Sequence, residues 1–145
     1  MSVVSEVMPR RKAVKLKIQS APSAFDAVKL MIAQKVGSII LLDLKGSPVG
    51  IITERDVLKR LLRSDKHPRD VLAREIMSHP LITIKTYDSI ETAAALMKKH
   101  KIKRLVVLEQ DKSLAGVISI TDIAKNLATI LTRDHKRYGR FKDLT

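Results

Sequence analysis

The chain has 145 residues and a mass of 16.2 kDa, room for one small domain or two very small repeats sharing a core. Hydrophobic residues make up 45% and aromatics 3%, with no Trp and no Cys, which supports a packed interior and excludes disulfides, thiolate metal sites, cysteine nucleophiles and aromatic base-stacking platforms. Lys and Arg outnumber Asp and Glu by 28 to 15, and the net charge of +13 favours anionic partners.

In chain order, Val14–Ile18 is a short extended segment. Ser23 then caps a helix running through Lys35, with Ala27, Leu30 and Met31 at helical spacing. Ser38–Asp43 carries four consecutive apolar residues, which predicts a strand buried on both faces. A turn at Lys45-Gly46-Ser47 and a strand at Pro48–Ile52 complete a hairpin, and a helix follows from Thr53 to about Arg63. Ser64–Pro68 is a polar linker, and Asp70–Met77 is a short helix. The order then repeats: an extended segment at Leu81–Ile84, a helix capped by Asp88 or Ser89 through His100, a strand at Arg104–Glu109, a turn at Asp111-Lys112-Ser113, a strand at Leu114–Ile118, and a helix from Ser119 to about Leu131. Thr132–Thr145 loses apolar periodicity and reads as a frayed tail or a docked extension. No stretch reaches the roughly 18 apolar residues of a membrane span. The N-terminal residues lack a hydrophobic signal core, so a soluble cytoplasmic protein is expected.

The repetition is a duplication. Ala24–Asp56 aligns with Ile90–Asp122 at an offset of 66, with nine identities in 33 positions, among them Met31/Met97, Gly50/Gly116 and Asp56/Asp122. Upstream, Ser5-Glu6-Val7-Met8 echoes Arg74-Glu75-Ile76-Met77 at an offset of 69, so the first copy carries three extra residues within Pro9–Ser20. The expectation is a mixed α/β (α+β) fold of two β-α-β-β-α repeats, residues 1–66 and 67–132, packed through their sheets with pseudo-two-fold symmetry. A basic tail covers residues 133–145.

Each hairpin runs into a helix through one pattern, Gly50-Ile51-Ile52-Thr53-Glu54-Arg55-Asp56 and Gly116-Val117-Ile118-Ser119-Ile120-Thr121-Asp122. A hydroxyl three residues before an acid fits a capping box. It also fits a ribonucleotide. The positive end of a helix attracts phosphate, a Thr or Ser hydroxyl donates to it, and an acid one turn in suits a pair of sugar hydroxyls. Glycine then removes a side chain where backbone meets ligand.

With the duplication, the Met closing each entry segment (Met8, Met77), the buried strand runs and the GIITERD and GVISITD motifs, the chain resembles a pair of CBS domains, a Bateman module, from about Val3 to Leu131. The resemblance implies a regulatory module that binds adenosine ligands (AMP, ADP, ATP, S-adenosylmethionine or NAD-type molecules) in two clefts between the repeats, and a disc-like homodimer. In the first cleft it places Thr53 and Asp56 at phosphate and ribose, Ile51 on the wall, Ile82 and Thr83 beside the base, and Lys103 and Arg104 towards phosphate. In the second, Ser119 and Asp122 take the phosphate and ribose roles beside Val117, with Leu16, Lys17, Gly37, Ser38 and Arg55 supplied by the first copy. Two cations face the first helix start where Gly37-Ser38 face the second, which favours more phosphates in the first cleft. Arg55 and the Lys12, Lys15, Lys17 run restore charge to the second. Many members carry Pro where this chain has Ile40 and Val106, a departure of little expected effect.

Basic runs at Pro9–Lys17, Lys98–Arg104 and the tail exceed the needs of two nucleotides. They are solvated faces or a salt-sensitive footprint for DNA or RNA backbone, although no nucleic-acid motif accompanies them. His67, His79, His100 and His135 lack metal spacing, and no nucleophile–base pair is visible, so neither enzyme chemistry nor a metal or other cofactor is expected. A stand-alone sensor acts on an effector protein that the sequence does not identify. A purely structural dimerisation unit is the remaining alternative.

Overall fold

The computed structural model describes residues 2–137. It holds α1 (Val4–Val7), β1 (Lys15–Lys17), α2 (Ala24–Gln34), β2 (Ser38–Leu42), β3 (Pro48–Thr53) and α3 (Glu54–Asp56), which continues through a π-helical turn at Val57–Leu61. The second half holds α4 (Ala73–Ile76), β4 (Thr83–Lys85), α5 (Ile90–His100), β5 (Arg104–Leu108), β6 (Leu114–Ser119) and α6 (Ile120–Arg137). Each half forms a three-stranded sheet whose middle strand is parallel to the first strand and antiparallel to the third. The helix expected to end near Leu131 continues to Arg137: the apolar period fades, but no Gly or Pro interrupts the backbone there. Beyond Arg137 the expected tail lies outside the described residues.

Local chemistry sets the helix ends. The Ser23 hydroxyl accepts from the Asp26 amide at 3.0 Å, and the Asp26 carboxylate accepts from the Ser23 amide at 2.9 Å. The Ser23 amide, and then its hydroxyl, hold the Asp26 carboxyl below its ordinary value of 3.8. Ser89 caps α5 in the same way from its hydroxyl, and Lys35 and Lys101 close the two helices in the left-handed region at φ 54°.

The middle strands are covered on both faces. Ile39 and Leu41 point into a core with Ala24, Ala27, Met31 and Ile52, and Leu105 and Val107 into one with Ala93, Met97 and Ile118. Ile40 and Val106 belong to neither core, yet they are 0% and 1% exposed, because they face the other half of the molecule.

Two features depart from a simple tandem. First, the entry segments are exchanged. Val4 of α1 is fully buried in the second core, with its amide donating to the Asp88 carbonyl at 2.8 Å. Ala73 and Ile76 of α4 are buried in the first core, with the Ala73 amide donating to the Pro22 carbonyl at 2.8 Å. Second, Lys15 pairs with Ile40 and Thr83 with Val106, so the opening strands correspond at an offset of 68, not 66. Of the three extra residues, one precedes β1 and two fall between β1 and Ser23, where a 3-10 turn forms at Ile18–Ser20.

The motif glycines answer to this exchange. A Cβ on Gly50 runs into the Met77 sulfur and reaches its Cγ at 2.9 Å; one on Gly116 meets the Met8 methyl at 2.6 Å. Each glycine makes room for the methionine of the exchanged segment, which corrects the expectation that it serves a ligand.

Candidate functional site

Between the two halves lies a cavity of about 820 Å³. β3 contributes Ile51 and Thr53. The helical run after it contributes Glu54, Arg55, Asp56, Leu58, Lys59 and Arg60. The linker into β4 adds Ser78, Pro80, Leu81 and Ile82, the end of α5 and the turn after it add His100, Lys101, Ile102 and Lys103, and β5 adds Arg104 and Val106.

Six of the seven residues expected at the first cleft line this cavity: Ile51, Thr53, Asp56, Ile82, Lys103 and Arg104. Thr83 is exposed on β4 and is not on the wall, because strand alternation turns it away from the face that carries Ile82. Arg55, expected at the second cleft, lies on the first, where its Nη1 donates to the Lys101 carbonyl at 3.1 Å and satisfies the end of α5. Arg11 does the same for α2 at the Gln34 and Lys35 carbonyls, so part of the excess charge serves helix termini.

The residues expected at the second cleft are less closely gathered. Val117 pairs with Val106, and Ser119 and Asp122 start α6. Ser38 pairs with Thr53, and a Cβ on Gly37 meets the Arg104 guanidinium and Glu54 Oε1, so Gly37 sits where Arg104 crosses from the other half. Leu16 corresponds in register to Ile84 and packs on the first core, with exposed Lys17 beside it. The shifted register makes Val14 the counterpart of Ile82: the Val14 carbonyl accepts from Ile40 as the Ile82 carbonyl accepts from Val106. Nothing in the spacing of residues 9–23 reveals where the extra residues fall.

Asp56 is 6% exposed and richly bonded. Its Oδ2 accepts from the Thr53 amide at 2.9 Å and the Thr53 hydroxyl at 3.1 Å. Its Oδ1 accepts from the Ser78 hydroxyl at 2.7 Å and lies 3.8 Å from Arg60 Nε. Asp122 repeats the Oδ2 bonds, to the Ser119 amide at 2.8 Å and hydroxyl at 2.9 Å. The capping box is therefore present at both copies, and the first also opens onto the cavity. Sequence reasoning misses Ser78 and Arg60. The i, i+4 pairing of Asp56 with Arg60 is readable in the sequence; the approach of Ser78 is not.

Six cationic side chains and two carboxylates line the cavity, so its field is strongly positive. Its wall grades from apolar (Ile51, Ile82, Val106), through the Thr53–Asp56 pair, to the cations Arg55, Lys101, Lys103 and Arg104. Among the described residues no helix is long and apolar enough to cross a membrane.

The CBS domain model matches twice, at residues 4–63 and 73–129. An uncharacterized protein of Methanopyrus kandleri is 36% identical over 88 residues, which cover 61% of this chain and 45% of that one. The inosine-5′-monophosphate dehydrogenase of Helicobacter pylori is 37% identical over 93 residues, 64% of this chain but 18% of the enzyme. The match thus spans less than half the length of either relative. The solved structure of a CBS domain protein from Pyrobaculum aerophilum complexed with AMP is similar at a TM-score of 0.74 and 28% identity, covering 88% of this chain and 99% of that one. Two matches to one family model, on the two halves that repeat in sequence and in sheet topology, make this chain a member of the CBS-domain family with two copies in tandem.

Proposed function

We propose that the protein is a regulatory module that binds an adenine nucleotide in the cleft between its two CBS repeats. The observation that carries this is the graded wall of the 820 Å³ cavity. Its apolar stretch suits a purine face, its hydroxyl–carboxylate pair suits the sugar and first phosphate, and its cations suit a phosphate chain. The AMP complex of the Pyrobaculum aerophilum relative supports an adenosine ligand. The cation excess favours ATP and ADP over AMP, and disfavours S-adenosylmethionine, whose sulfonium is itself positive. A second copy is the proposed partner of exposed leucines on two helices: Leu62 after α3 is 68% exposed, and Leu127 and Leu131 on α6 are 54% and 59% exposed.

Calorimetry on the full chain with AMP, ADP, ATP and S-adenosylmethionine tests the ligand. ATP is expected to bind about tenfold or more tighter than AMP, one charge-assisted contact being enough for that factor. Asp56→Ala is expected to abolish binding in this cleft with the fold retained by circular dichroism. A nucleic acid competing for the same cations gives the opposite pattern, affinity that falls steeply with salt and survives Asp56→Ala.

A further inference from the structure

The two motif carboxylates are not in the same state. A carboxylate offers about four lone-pair sites. At Asp56 two are held by Thr53, one by the Ser78 hydroxyl, and the last faces Arg60. At Asp122 the partners among the described residues are the amide and hydroxyl of Ser119, both on Oδ2. The sequence accounts for the difference: Pro9 follows Met8 where Ser78 follows Met77, and Asn126 stands where Arg60 stands. Proline has no hydroxyl to offer, and asparagine carries no charge. Ser78 is also tied to the cleft through its backbone. Its amide donates to the Ile51 carbonyl at 2.8 Å, the Ile51 amide donates back at 3.1 Å, and Arg60 Nη1 donates to the Met77 carbonyl at 2.6 Å.

We propose that Ser78 latches the first cleft: its hydroxyl occupies the Asp56 oxygen that a ribose needs, and nucleotide binding exchanges the Ser78–Asp56 bond for a sugar–Asp56 bond. The exchange loosens the linker at Met77–Ser78, whose neighbour Ile76 is buried in the first core, so occupancy of the cleft is passed to the exchanged segment. This rests on the nucleotide reading of the cleft and adds its regulation.

The test is calorimetry on the full chain carrying Asp122→Ala, so that only the first cleft reports, with ATP and 2′,3′-dideoxy-ATP. Adding Ser78→Ala is expected to tighten ATP about threefold to tenfold, the worth of one competing hydrogen bond, and to leave the dideoxy analogue unchanged. Unchanged or weaker ATP binding, or an equal gain for the dideoxy analogue, overturns the latch while Asp56-dependent binding keeps the nucleotide reading. If ATP binds neither with Ser78 in place nor after Ser78→Ala, the latch and the nucleotide reading fall together. A measurement on the natural sequence covers a variant that does not fold: the Ser78 amide resonance is expected to shift as ATP saturates the first cleft, and an unmoved resonance at saturation overturns the latch.

Discussion

The two CBS copies share a frame and differ at the points where another segment crosses them. Both strand–turn–helix junctions carry the same reciprocal cap, yet Asp56 is enclosed by Ser78 and Arg60 while Asp122 is held by Ser119. Both glycines leave room for a methionine, but Met77 approaches Gly50 with its sulfur and stem, whereas Met8 approaches Gly116 with its terminal methyl alone. Duplication therefore preserves what a copy does for itself. The exchanged segments, which differ in sequence after each Met, set the two copies apart.

The largest effect expected from breaking this arrangement is at the exchanged segments. Ile76→Ala removes a side chain that is 2% exposed and should destabilise the protein by about 2–5 kcal/mol in urea unfolding. Its mark is faster amide exchange in β2 of the first copy, although Ile76 lies in the segment that leads into the second. Faster exchange confined to β5 would refute the exchange of segments.

Gly50→Ala comes next, at about 1–3 kcal/mol, because the Met77 stem must move. Gly116→Ala differs in kind: the Met8 terminal methyl swings aside, but the backbone at φ 158° strains an added Cβ, so the loss in the same thermal or urea measurement comes from the backbone.

The carboxylates sharpen the comparison further. Asp56→Ala and Asp122→Ala each remove the carboxylate half of a capping box, which accepts from the Thr53 or Ser119 amide, a bond worth about 0.5–1.5 kcal/mol. The first loss should be the greater in urea unfolding, because it also leaves the Ser78 hydroxyl without its acceptor and removes the carboxylate 3.8 Å from Arg60.

The smallest effect is a pH dependence at α2. Asp26 has its carboxyl lowered by Ser23, and the α5 cap has Thr92 at the matching position. A lowered folded value means that the bond stabilises the fold fully above the unfolded value and is lost as pH falls through the folded one. The stability gap between the protein and Asp26→Asn should hold steady above about pH 5 and close below 3.8 in acid titrations followed by circular dichroism.

Much of the fold is readable residue by residue. Ser23 and Ser89 announce their helices, Ile39–Leu41 and Leu105–Val107 announce strands covered on both faces, and the 66-residue offset announces two copies. Six residues of the first cleft follow from matching the family's motif. Leu16 and Lys17 are misplaced by sequence because a strand slipped by two keeps the same alternation, so periodicity does not report the slip, whereas Thr83 is misplaced because neighbouring residues of one strand face opposite ways. Arg55 falls to the wrong cleft because its partner, the Lys101 carbonyl, is 46 residues away along the chain.

Short-range chemistry along the chain is thus sufficient for the elements, their caps, the doubled unit and the family, since each depends on neighbours within a turn or a strand. Packing between distant segments settles the rest: which core each entry segment completes, how β1 is registered, and which acidic oxygen is already taken. Those outcomes turn on contacts such as Ser78 with Asp56 and Val4 with the second core, and no local window of sequence contains both partners.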